Sequence, residues 1–173
     1  MSENENKSVM IKCVNDLCQT WGIRQKDLAV WMGTSGSTIS GWNDYKWRTV
    51  SSVQIKLVAM YYGENIRDAN DLKETFRSLL KEQKERNKEK GNGDAIVNTI
   101  NSSFNDSKLE KEINEAHKIV IDKYLEITEG EVNSTSVSES IKGFMEEKYP
   151  SVFKRNQIEI DDTGEQPEDT END

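Results

Sequence analysis

Residues 25–42, QKDLAVWMGTSGSTISGW, constrain the fold more than any other stretch of the chain. Gln25 opens a short helix, and Ala29 sits where a small side chain lets a second helix cross closely. Gly33, four residues on, permits the left-handed backbone that ends the first helix at little steric cost. Ser35 can cap the next helix. Ile39 and Trp42 lie three apart and give that helix one buried stripe, beside Leu28 and Met32 from its partner. Two short helices joined by a three- to four-residue turn containing glycine form a helix-turn-helix, the unit that sets its second helix in the DNA major groove.

The frame Gln25-x3-Ala29-x3-Gly33-x5-Ile39-x2-Trp42 resembles the lambda-repressor-like family, and particularly the phage CI-type repressors. The preceding IKCVNDLCQTWGIRQKDLA is similar to the CI-type opening of a helix, a glycine turn and a leading glutamine. The similarity covers roughly residues 8–66 and stops there. It implies a compact all-α head of four to five helices, acting as a transcriptional repressor of prophage type on a double-stranded DNA operator. Ala29, Gly33, Ile39 and Trp42 form the motif core. Gln25 matches the family's usual backbone-anchoring glutamine. Many CI-type repressors carry a self-cleaving peptidase domain after the head. The second half of this chain does not resemble it, so none is expected.

Base reading is expected from Ser35, Gly36, Ser37, Ser40 and Gly41, on the amino-terminal and outward faces of the second motif helix. Serine hydroxyls can donate or accept at base edges or phosphate, and the glycines let the helix lie close. The family often carries a longer polar side chain where Gly36 stands here, so direct readout looks thin. Arg24, Lys26, Lys46 and Arg48 flank the motif and, with Gln25, are expected on phosphate. Trp47 and Tyr45 lie in the same following loop.

The formal charge of −9 is divided unevenly. Residues 1–90 hold 15 Lys and Arg against 12 Asp and Glu, a net of +3, whereas residues 91–173 hold 8 against 20, a net of −12. Binding to phosphates depends on the local field, so the negative total does not exclude DNA.

Four segments follow from pattern. Residues 1–80 read as the DNA-binding domain, with helices at about 8–20, 25–32, 36–43 and 51–62 and a fifth introduced by the capping-box pattern Asp71-x-x-Glu74. The fourth of these has Val53, Leu57, Val58 and Tyr61 as its expected inward face. Residues 81–105 read as a charged linker: KEQKERNKEK has no apolar residue, and Gly91-Asn92-Gly93 breaks regular structure. Residues 106–155 read as a helical oligomerisation or partner-binding region. There Leu109, Ile113, Ala116, Val120, Tyr124 and Ile127 recur at helical spacing, and a second helix from about Ser136 to before Pro150 offers Phe144 and Met145. Such wide stripes must pack on the head, on each other or on another chain. Residues 156–173 carry eight acidic side chains and no basic one, the composition of a disordered acidic tail.

Catalysis finds little support in this pattern. His117 is the only histidine, with no nucleophile or metal-ligand cluster in sequence around it. Cys13 and Cys18, five apart on one helix, read as buried thiols of a reducing compartment. The chain is expected to be cytoplasmic, without metal, cofactor or membrane partner. Its expected partners are an operator, a second copy or higher homo-oligomer, and an anti-repressor protein. The competing reading is an antitoxin or other partner-binding regulator that uses the helix-turn-helix for autoregulation.

Overall fold

Ser51 starts the helix around which the rest of the chain is arranged. Its Oγ accepts from the Gln54 backbone N–H at 3.4 Å, while Gln54 Oε1 accepts from the Ser51 N–H at 2.9 Å. This reciprocal cap satisfies two amides that the first helical turn leaves without partners. A computed structural model describes residues 8–43, 50–87, 104–129 and 135–155, and every element among them is helical. In chain order these are α1 (Val9–Trp21), α2 (Gln25–Trp31), α3 (Gly36–Ser40) with a 3-10 turn (Gly41–Asn43), and α4 (Ser52–Tyr62) with a 3-10 turn (Gly63–Asn65). They continue with α5 (Ala69–Asn87), α6 (Asp106–Glu129) and α7 (Thr135–Lys148), and 150–155 is again helical. Among the described residues, no helix is long and apolar enough to cross a membrane.

α4 is covered on most of its circumference. Ile55, Leu57, Val58, Ala59 and Met60 are fully buried. The expected inward residues all pack on the core, Leu57 and Val58 fully and Val53 and Tyr61 half-buried, and Ile55 and Met60 are covered besides them. The cause is a neighbour on each side, with α1 and α5 packing on α4 from the head and α6 packing along it from the second half of the chain.

The oligomerisation stripe is therefore corrected. Leu109, Ile113, Ala116 and Val120 are 0–1% exposed and Tyr124 is buried, in one continuous core with the helices of the head. Ile127 and Phe144 are half-buried against the same core. Each fully buried aliphatic side chain contributes about 1.5–3 kcal/mol, and α6 collects it within its own chain. Of the three partners open to such a stripe, the head takes it. Residues 1–80 and 106–155 accordingly do not have separate cores. Three ion pairs reinforce the seam: Lys56 on α4 lies 3.5 Å from Glu112 and 3.2 Å from Glu115, and Lys73 on α5 lies 2.7 Å from Asp106.

The expected linker also begins later than residue 81. α5 runs on to Asn87, and buried Gln83 accepts the Val9 N–H at 2.8 Å, which completes the start of α1. Ser8 caps the same helix, accepting from Ile11 N–H at 3.3 Å and donating to the Trp42 carbonyl at 2.6 Å. The cap of α5 is Asp68, not Asp71: its carboxylate accepts the Asp71 N–H at 2.9 Å, and Glu74 instead pairs with Arg77. Linker residues 88–103 and the acidic tail lie outside the described residues.

α7 closes over the end of α4. Ile141 and Met145 are buried, and Phe144 meets the Trp21 ring edge-on at 5.9 Å. Tyr149, at the expected helix end, and Phe153, beyond it, are buried too.

Candidate nucleic-acid interface

α2 ends by a double carbonyl-capping turn. Thr34 N–H donates to the Ala29 carbonyl at 2.9 Å and Gly33 N–H to the Val30 carbonyl at 3.1 Å. This pattern needs a left-handed residue, and Gly33 supplies it at φ +72°. Ala29, Ile39 and Trp42 are buried, together with Leu28 and Met32. The four motif-core positions thus meet as the spacing required: a small residue at the crossing, a glycine in the turn, and two apolar anchors beneath the second helix.

α3 is shorter than the expected 36–43. Regular α-helix stops at Ser40 and tightens into the 3-10 turn, as fits a segment bounded by Gly36 and Gly41. Ser35, Ser37, Ser40 and Gly41 are exposed, and Gly36 is half-buried. All five expected base-reading residues therefore share one outward surface. Thr38, also exposed, belongs to that surface and was missed from sequence. Its position three residues after the cap was the available signal.

The hydroxyls of this surface are bonded among themselves. Ser35 Oγ accepts the Thr38 N–H at 3.3 Å and lies 2.9 Å from Ser37 Oγ and 3.0 Å from Thr38 Oγ1. Ser40 Oγ donates to the Gly36 carbonyl at 3.0 Å. Ser35 thus acts first as a cap, and Ser40 as a helix back-bond.

At the start of α2, Arg24 and Lys26 are exposed and Gln25 is half-buried. Asp27 accepts from both the Arg24 N–H and Arg24 Nε, each at 3.2 Å. The backbone hydrogen bond, then the side-chain one, hold the Asp27 carboxyl below its ordinary range. With no partner bound, Arg24 therefore has an anion beside it, whereas Lys26 makes no ion pair among the described residues. Lys46 and Arg48, with Tyr45 and Trp47, lie outside the described residues.

The rear of α2 meets α1 and, at Trp31, α6. Trp31 meets Trp21 edge-on at 5.7 Å, and Lys123 Nζ of α6 lies 5.4 Å above the Trp31 ring. His117 belongs to a different place, the junction of α4, α6 and α7. Its Nε2 lies 3.1 Å from the Gly63 carbonyl, and its ring meets Tyr149 edge-on at 5.5 Å. Burial pushes the Cys13 thiol up to about 12 and the half-buried Cys18 thiol up to about 11. Neither thiol carries appreciable thiolate near neutral pH.

No protein-family model, curated protein or solved structure matches this chain.

Proposed function

We propose that this chain is a sequence-specific DNA-binding transcriptional repressor of prophage CI type, cytoplasmic and non-enzymatic. One observation carries the reading. The Gly33 turn at φ +72° joins α2 and α3 over buried Ala29 and Ile39, and the far side of α3 stays uncovered from Ser35 to Gly41. A helix held by its apolar side, with its small polar side free, suits insertion into a major groove about 12 Å wide. Arg24, Gln25 and Lys26 stand at the edge of that unit for phosphate contact, with Lys46 and Arg48 following in sequence.

Operator recognition in this reading uses two copies on paired half-sites, because one small head makes too few contacts for genomic selectivity. The two copies do not meet through Leu109, Ile113 or Val120, which α4 already covers. A separate 107–155 domain presenting a groove would favour the antitoxin reading, whereas Leu109, Ile113, Ala116 and Val120 share one core with the head.

Selection of bound duplexes from a random pool, followed by affinity measurement across salt concentrations, tests the proposal. A recovered consensus is expected, with affinity falling steeply as salt rises. Lys26→Ala should flatten the log–log slope by about 0.9 for one lost phosphate contact. Absence of enrichment, with affinity indifferent to salt, would remove DNA from the account.

A further inference from the structure

The outward surface of α3 has no side chain longer than threonine. Residues 35–41 read Ser, Gly, Ser, Thr, Ile, Ser, Gly, and Ile39 is buried beneath. Polar readout of a base needs free donors as well as acceptors, and here most of the hydroxyl donors are committed. Each serine or threonine hydroxyl has one proton to give. Ser40 gives its proton to the Gly36 carbonyl. In the trio around Ser35, the cap oxygen already accepts the Thr38 N–H, and the two O···O contacts take up two of the three hydroxyl protons. One hydroxyl proton, on Ser37 or Thr38, is left for a ligand.

Thr38 differs from its serine neighbours in having a second branch at Cβ. Its Oγ1 is directed to the Ser35 cap at 3.0 Å, which fixes χ1 and leaves the methyl as the uncommitted branch of an exposed side chain. The only apolar group that a major groove displays at its base edges is the thymine 5-methyl. Small neighbours on both sides, Gly36 and Gly41, let the helix approach closely enough for methyl-to-methyl contact.

We infer that Thr38 is a specificity-determining residue whose methyl packs on the 5-methyl of a thymine, so that each half-site carries a required thymine beneath α3. This rests on the DNA-binding reading above. It adds what the hydrogen-bond inventory implies, that the surface selects partly through apolar contact rather than through serine hydroxyls alone.

The test uses the full chain and the duplex recovered by selection. Each thymine is replaced singly by uracil, which keeps the hydrogen-bonding edge and deletes only the methyl. At one position in the half-site the replacement should weaken binding by about three- to fivefold, the effect of one buried methyl group. Thr38→Ser should erase that thymine-over-uracil preference, binding both duplexes as the parent protein binds the uracil form. Thr38→Val keeps a methyl, and the Ser35 cap on its backbone N–H, and should retain the preference. A sequence-selective protein whose thymine-over-uracil ratio is unchanged by Thr38→Ser overturns the inference while leaving DNA binding in place. A protein that selects no duplex at all overturns the DNA-binding reading itself.

Discussion

The Tyr149 hydroxyl donates to the Met60 carbonyl at 3.0 Å and lies 3.3 Å from that of Ala59, joining the end of the second half to the helix at the centre of the head. Tyr149 is almost fully buried, and burial raises its phenol far above the ordinary range, so it remains a donor at any working pH. Removing the hydroxyl alone, in Tyr149→Phe, should cost about 1 kcal/mol. Tyr149→Ala also opens a cavity between α4 and α7 and should cost about 3–5 kcal/mol. Denaturant unfolding measures both, and a Tyr149→Ala protein of unchanged midpoint would contradict this packing.

A second prediction separates a shared core from an exposed assembly seam. Ile113→Asp places a carboxylate where the side chain is 1% exposed, and should destabilise the whole protein by about 4 kcal/mol or more. Leu125→Asp, on the outward side of the same helix, should change stability by no more than about 0.5 kcal/mol. If Ile113→Asp melted like the parent and only lowered an oligomeric mass, α6 would be packing on another copy and not on α4.

Two glycines with positive φ should respond differently to alanine. At Gly33 a Cβ meets nothing within 4 Å, so Gly33→Ala carries only the left-handed backbone penalty, about 1–2 kcal/mol. At Gly63 a Cβ would collide with the Lys148 carbonyl, so strain and a backbone clash combine. Thermal melts should rank Gly63→Ala well below Gly33→Ala. The reverse order would mean that the end of α7 does not sit against the end of α4.

Much of the head was legible because its restrictions are local. A cap at Ser35, a turn at Gly33 and apolar positions three or four apart each act over a few residues. The role of α6 was not legible in the same way. Leu109, Ile113, Ala116 and Val120 announce a buried stripe, but periodicity does not say what covers it. The matching signal lay on α4, where Ile55 and Met60 are apolar off the expected inward face of Val53, Leu57, Val58 and Tyr61 and need a second neighbour. Tyr149 escaped notice because it stands beside Pro150, where a helix pattern ends, and its function is a long-range hydrogen bond. On the outward surface of α3, residue types identified the hydroxyls, but only geometry shows that Ser35 and Ser40 bond theirs to the backbone of their own helix.

The single histidine isolates a pH effect. Burial, the largest cause, lowers His117 below its ordinary value of 6.5, partly offset by the Gly63 carbonyl and the Glu64 charge. The folded state thus holds the proton less tightly than the unfolded chain. Stability is full above the unfolded value and is lost as pH falls from about 6.5 toward the lower folded value. Unfolding midpoints should fall between about pH 7.5 and about pH 5.5, and His117→Gln should flatten that decline. A variant that declines as steeply as the parent would place the titrating group elsewhere.

Amide chemical-shift mapping on the full chain, titrated with the selected duplex, asks the central question most directly. The account predicts that the largest changes fall on Gln25, Lys26 and the continuous run from Ser35 to Gly41, with the α6 stripe at Leu109, Ile113 and Val120 unmoved. Changes concentrated on α6 or α7, with the run from Ser35 to Gly41 silent, would contradict it.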